Sequence, residues 1–302
     1  MSTLSYFLII ATLIFTLSIQ THANENDIIR ISVVSLKNFG DSKANDKARL
    51  KFIADRIAEQ AIKGVCVVDE LQDSDCSAMK KLNEAVSKSA HVNISLALSE
   101  RVGGSKKEQF GFFWNKNILD IVGTVKTIYF EEIERDPGIA TFKAKAGFDF
   151  TLCAFHTRPE GMPLKDELVS LDDLFMYIQA LDNKENDILF VGDFNAPPRA
   201  NEKTKQDVGI SEMMGQFSRN IYFTIQDKPT NVRQNKIFDN IFFDKNQTDE
   251  YIPDGQHVIR IDQMLSEFTG AINAQDVVGW FLKNVMDHCP IYANFRADID
   301  TD

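Results

Sequence analysis

"ILFVGDFNAPP", residues 188–198, decides the reading of this chain. Four apolar residues, Ile188 to Val191, run without alternation into Gly192, as they do in a strand covered on both faces. Asp193, Phe194 and Asn195 follow, and Pro197 and Pro198 end any ladder because neither has an N–H to give. With a side-chain period of two, the strand predicts Asp193 and Asn195 on one face and Phe194 on the other. Two oxygen-bearing side chains converging at a strand rim suit a hard cation and a phosphate.

Other segments have the same character. "IIRISVVSL", "GVCVVDE", "FGFFWN", "LDIVGTVKTI", "ATFKAKAGFDFTLCAFH", "IFDNIFF" and "CPIYANF" read as strands, and the fifth predicts a hairpin turning at Lys145 to Gly147. Leu50, Ile53, Ile57 and Ala61 mark one amphipathic helix, and Met79, Leu82 and Val86 a second. Leu164, Leu168, Leu171, Phe175, Ile178 and Leu181 predict a third, long one. Strands outnumber helices and several are hairpin neighbours, so two packed sheets with outer helices fit better than one parallel sheet. Strands repeatedly end on reactive side chains: Glu70, His156, Asp193 with Asn195, Asp239, and Asp287 with His288. A single polar strand end is ordinary turn chemistry. Five of them, gathered at one edge of a sandwich, make a site.

The 302 residues are 44% hydrophobic and 25% charged, enough for a sizeable core, and no linker or repeat divides them. The expected organisation is a secretory leader over residues 1–23 and one domain over 24–302. The uncharged run from Tyr6 to Ile19, followed by Ala23, carries the leader reading and implies a secreted or periplasmic protein without stable membrane association. An uncleaved anchor is the competing reading. The net charge of −11 excludes binding of nucleic acid by bulk attraction, so a phosphate substrate needs local cations or a metal. Cys66, Cys76, Cys153 and Cys289 allow three full pairings and require none.

Taken in order, "VVDELQD", "KKEQFGFFWN", "IERDPGIATF", "FHTRP", "GDFNAP", "FDNIFF" and "MDHCP" resemble the endonuclease/exonuclease/phosphatase superfamily, within it the deoxyribonuclease-I-like branch, from about Ile31 to Phe295. The resemblance implies a four-layer α/β sandwich of two mainly antiparallel sheets with outer helices. It implies Glu70 and Asp287 as ligands of Mg²⁺, with Mn²⁺ or Ca²⁺ as alternatives. His156 and His288 become the catalytic pair, oriented by Glu108 and Asp239 respectively. Asp193 and Asn195 orient water and bind the phosphate, and Arg135 contacts a phosphate oxygen. The implied activity is metal-dependent phosphodiester hydrolysis by a monomer, with nucleic acid as substrate. Hydrolysis of a phospholipid head group or sugar phosphate is the alternative within the same chemistry. A catalytically silent binding protein using the old cleft is the alternative outside it.

The chain departs from the family pattern in four ways. Ser35 stands where the family has a metal-side asparagine, which predicts a weakened cation site. Asp69 replaces a glutamine. Gln72 and Lys106 replace residues that enter the DNA minor groove in the branch's type enzyme. Pro198 and Lys236 occupy the positions of a family disulfide.

Overall fold

A computed structural model describes residues 27–105, 107–159, 161–181, 185–215, 219–268 and 277–301. The leader reading and Lys106 lie outside these residues. One six-stranded sheet contains β1 (Ile28–Phe39), β2 (Gly64–Leu71), β3 (Ile94–Leu98), β4 (Gln109–Asn115), β11 (His257–Val258) and β12 (Ile291–Arg296), in the order β11-β12-β1-β2-β4-β3. The other contains β5 (Leu119–Thr127), β6 (Gly138–Ala144), β7 (Asp149–His156), β8 (Ile188–Asp193), β9 (Ile221–Phe223) and β10 (Asp239–Asp244), in the order β5-β6-β7-β8-β10-β9. Each sheet has one parallel pair, β1 with β2 and β7 with β8, and its remaining pairs are antiparallel.

Strand period two sorts the side chains into layers. Val65 and Val67 of β2 meet Leu189 and Val191 of β8 in the core between the sheets. Their neighbours face outward: Cys66 and Val68 pack under helices α2 (Lys47–Ala61) and α3 (Ser77–Ala90), and Ile188 and Phe190 under α4 (Met162–Val169) and α5 (Leu171–Leu181). Both faces of each central strand are therefore covered, which explains their unbroken apolar runs. Asp46 caps α2 by accepting from the Ala48 and Arg49 backbone N–H groups at 3.0 and 3.1 Å, which satisfies donors a helix start leaves open.

The structure corrects two expectations. The long helix over Leu164–Leu181 is two helices broken at Ser170, whose hydroxyl turns back to donate to the Glu167 carbonyl at 2.8 Å. Such back-bonding competes with the helix ladder and bends it. The strand carrying the opening motif stops at Asp193, and Asn195 lies beyond it in the left-handed region at φ 48°. Its backbone N–H donates to Asp193 Oδ1 at 2.8 Å. A local turn, and not strand alternation, therefore sets the Asp193–Asn195 geometry. The hairpin of β6 and β7 turns where expected, with Gly147 N–H donating to the Ala144 carbonyl at 3.0 Å. All four cysteines are free, with Cys76 exposed and the other three buried. No described helix is long and apolar enough to cross a membrane.

Candidate active site

Strand polarity alone brings the reactive ends together. Ser35, Glu70, His156 and Asp193 sit at or near the C-terminal ends of β1, β2, β7 and β8. Asp239 begins β10, Glu108 directly precedes β4 and His288 lies just before β12, and these three strands run antiparallel to their neighbours. An antiparallel strand starts where its neighbour ends, so all seven residues share one rim of the sandwich. Register then sets the pairs: His156 is opposite Asp193, Asp193 opposite Asp239, and Ser35 opposite Asp69.

Gly192 permits the close approach beneath this rim. It adopts φ 145°, and a Cβ there would lie 1.9 Å from the Phe155 carbonyl oxygen, so only glycine fits. Phe194 anchors the turn from below, stacked on Phe155 with centroids 5.7 Å apart and against Phe242 at 4.9 Å.

Each histidine is buried and holds a carboxylate on Nδ1. His156 Nδ1 lies 2.6 Å from Glu108 Oε1, and His288 Nδ1 lies 2.9 Å from Asp239 Oδ2. Asp193 stands between them, its Oδ2 3.7 Å from His156 Nε2 and 3.8 Å from His288 Nδ1. Burial by itself would lower the His156 pKa, but Glu108, Asp193 and Asp69 outweigh it and raise it to about 10. Burial likewise opposes charge on His288, yet Asp239 and Asp193 push it well above the usual histidine range. Burial raises the Asp193 carboxyl to about 6, although both imidazoles pull it down. Phe238 stacks on the His288 ring at 5.3 Å and limits its rotation.

Arg135 is not a surface ion pair of its acidic segment. Its Nε contacts Glu108 Oε1 at 3.0 Å and its Nη1 donates to the Thr157 carbonyl at 3.2 Å. Asn195 Nδ2 donates to the same carbonyl at 3.1 Å, so Thr157 ties the two groups expected at a phosphate. Thr157 was not evident as a site residue from sequence; its position directly after His156 was the available signal.

The cation corner lies beside the histidines. Asp287 Oδ2 takes the Lys37 ammonium at 2.6 Å, and Glu70 Oε2 accepts from the Asn38 backbone N–H at 3.0 Å. Lys37, Asn38 and Glu70 all have left-handed backbones, with φ 48°, 60° and 56°, where β1 and β2 lose register. Lys43 is buried beneath and donates to the Leu36, Lys37 and Val285 carbonyls, each at 2.6 Å. Burial lowers its pKa to about 8 against the opposing pull of Glu70 and Asp287. Two carboxylates that together draw in ammonium groups form a donor set that a hard divalent cation also fits.

Ser35, expected next to the cation, is engaged elsewhere. Its hydroxyl lies 3.0 Å from Asp69 Oδ2 and 2.9 Å from Asp239 Oδ1. Asp69 is fully buried, its Oδ1 has no hydrogen-bond partner among the described residues, and burial drives its pKa well above the usual carboxylate range. Near Pro198 and Lys236, where the family disulfide would lie, Gln206 pairs its side-chain amide with both backbone groups of Ile237, at 2.7 and 2.9 Å.

No family model matches the chain. Chicken deoxyribonuclease-1 is 29% identical over 181 residues, covering 56% of this chain and 61% of that protein. Human deoxyribonuclease-1-like 2 is 26% identical, covering 56% of this chain and 62% of its own length. The matched region thus spans less than two thirds of either relative. Among solved structures, the human Nocturnin catalytic domain superposes with a TM-score of 0.56 at 13% identity, covering 89% of this chain and 94% of that one. An endonuclease/exonuclease/phosphatase family protein from Bacteroides thetaiotaomicron gives 0.56 at 16% identity, covering 90% and 98%. The structural likeness shows the fold, and the sequence likeness is to the deoxyribonuclease-I-like branch of the endonuclease/exonuclease/phosphatase superfamily.

Proposed function

We propose that this chain is a metal-dependent phosphodiesterase, a nuclease acting on DNA with RNA as the alternative substrate, formed by one domain over residues 24–302 and exported by its leader as a monomer. The observation that carries the reading is the pair of buried histidines, each with its own carboxylate on Nδ1, on either side of Asp193. A carboxylate on Nδ1 fixes the ring and leaves Nε2 as the nitrogen through which a proton passes.

In this reading Asp193 is ionised above pH of about 6 and accepts a proton from the attacking water. A group poised near the working pH suits a general base. One of the two imidazolium rings gives its proton to the departing ester oxygen as the P–O bond breaks. Arg135 and Asn195 hold the non-bridging phosphate oxygens, the guanidinium by its planar fork of donors. Glu70 and Asp287 would hold a Mg²⁺-type cation, which offsets negative charge on the phosphate. The names of the two deoxyribonuclease relatives support DNA as substrate.

The test is purified mature protein with Mg²⁺ on supercoiled plasmid, single-stranded DNA and RNA side by side. Plasmid relaxation that disappears in EDTA and in His156→Ala is the expected result. Cleavage of none of the three by a folded protein would overturn the nuclease reading.

A further inference from the structure

Glu167 is a carboxylate on the buried face of a helix. It lies on α4 between Leu164 and Leu168, which pack with Leu171, Phe155 and Phe194 in one outer layer. Its side chain is fully buried, where an unpaired carboxylate is costly. Each oxygen takes a partner from a different loop, one between β5 and β6 and one after β7. Oε1 accepts from the Glu134 backbone N–H at 3.0 Å, and Oε2 accepts from the Arg158 backbone N–H at 2.7 Å. The Arg158 guanidinium braces the pair, with its Nε 3.6 Å from Glu167 Oε1 and 2.7 Å from Glu134 Oε2. Burial pushes the Glu167 carboxyl pKa up, while the two backbone donors, Arg158 and Arg135 pull it down.

Both backbone donors border the groups assigned to the phosphate. The Arg158 N–H lies in the same peptide as the Thr157 carbonyl, which accepts from Arg135 Nη1 at 3.2 Å and Asn195 Nδ2 at 3.1 Å. In a planar trans peptide the N–H and the carbonyl point opposite ways, so holding one end aims the other. A carboxylate on the N–H also polarises the peptide and strengthens its carbonyl as an acceptor. Glu134 directly precedes Arg135, so the second bond fixes the backbone from which that guanidinium extends.

We propose that Glu167 is a positioning residue, which sets the Thr157 carbonyl and the Arg135 backbone in the arrangement that holds a phosphate group. The inference rests on the assignment of Arg135 and Asn195 to the non-bridging phosphate oxygens. Glu167 acts only through the two loops it joins. Replacing it with glutamine keeps the volume and one acceptor oxygen but turns an NH₂ group toward one of the two N–H donors, which loses its partner. The loop so released no longer aligns Arg135 with Asn195. Charge alone predicts the opposite outcome, because removing a carboxylate near an anion site should tighten anion binding. A weakening therefore reports geometry.

Calorimetric binding of inorganic phosphate to wild type, Glu167→Gln, Arg135→Ala and the double variant tests the role, with urea unfolding on the same samples. Each single variant should bind phosphate about tenfold more weakly, within what a small misplacement of a binding group costs. The double variant should fall short of the product of the two effects, because both act on one group. Wild-type or tighter affinity in Glu167→Gln would overturn the proposal; together with a lowered urea midpoint it would make the carboxylate purely structural. Two effects that multiply in full would overturn it as well. Where Glu167→Gln folds poorly, amide exchange in wild type reports instead: the Arg158 amide proton should be protected, and exchange at the rate of an open loop would overturn the role. Phosphate binding needs no turnover, so this expectation stands apart from cleavage of any nucleic acid.

Discussion

Replacing Glu108 by glutamine isolates the charge that keeps His156 protonated. Glutamine preserves the shape and a hydrogen-bonding oxygen but removes the negative charge 2.6 Å from Nδ1. Without it, burial becomes the main influence on the ring and favours the neutral imidazole. The His156 pKa, about 10 in the native protein, should fall, with Asp193 and Asp69 left as the charges that oppose burial. The native elevation above the ordinary value of 6.5 is about 3.5 units, or about 5 kcal/mol at roughly 1.4 kcal/mol per unit. A folded-state pKa raised above the unfolded one gives stability that is complete below pH 6.5 and is lost as pH rises through about 10. Wild type should therefore lose about 5 kcal/mol of unfolding free energy across that window through His156, in addition to any share from His288. The variant should lose less than wild type across the same window. Urea unfolding from pH 6 to 10.5, together with the NMR shift of the His156 ring proton, measures both quantities. A ring that stays cationic to the same pH in Glu108→Gln as in wild type would refute the assignment of Glu108 as the dominant charge on His156.

Three further perturbations follow from the same geometry. His156→Ala and His288→Ala should both reduce turnover while circular dichroism stays native, and the ring that protonates the departing oxygen should cost ~10²–10⁴-fold, the usual worth of a general acid; near-native rates in both would exclude an imidazolium as the proton donor. Lys37→Met should free Asp287 from its 2.6 Å ammonium contact and lower the Mg²⁺ concentration for half-maximal binding about fivefold, since a partly exposed ion pair is worth up to ~1 kcal/mol. An unchanged Mg²⁺ titration by calorimetry would show that the ammonium and the cation do not compete. Ser35→Ala should cost ~1–3 kcal/mol of stability, because it leaves Asp69 and Asp239 without the hydroxyl between them; a midpoint equal to wild type in urea would mean that the contact is not formed in solution.

Much of this was legible before the fold was known, for identifiable reasons. Central strands buried on both faces write themselves as unbroken apolar runs, so β1, β2, β7, β8 and β10 stand out in the sequence. Short edge strands do not: β3, β9 and β11 are five, three and two residues long and carry no comparable run. The helix expected across Ser170 shows a limit of periodicity. Leu164, Leu168, Leu171 and Phe175 keep helical spacing and pack in one layer, yet a single hydroxyl divides the helix. The identities of the residues at the rim could be read from motif order. The pairing of Arg135 with Glu108 could not, because it joins segments 27 residues apart that only the tertiary fold brings together.

The two departures at the ends of β1 and β2 have one physical explanation when taken together. A hydroxyl carries one proton, and Ser35 faces carboxyl oxygens of both Asp69 and Asp239 at hydrogen-bond distance. If both carboxyls were ionised, one contact would set two acceptors against each other in a buried setting where that is costly. The cost disappears when Asp69 holds a proton, in keeping with its burial and with the like charges of Asp193, Glu70 and Asp239 around it. Asp69 then behaves toward Ser35 as a neutral donor and acceptor, as an amide at that position would. Ser35 donates its own hydrogen bond to Asp239 Oδ1, and Asp239 Oδ2 holds His288 Nδ1 at 2.9 Å. The serine and the aspartate thus make a linked pair, and restoring an amide at one position alone should disturb the other.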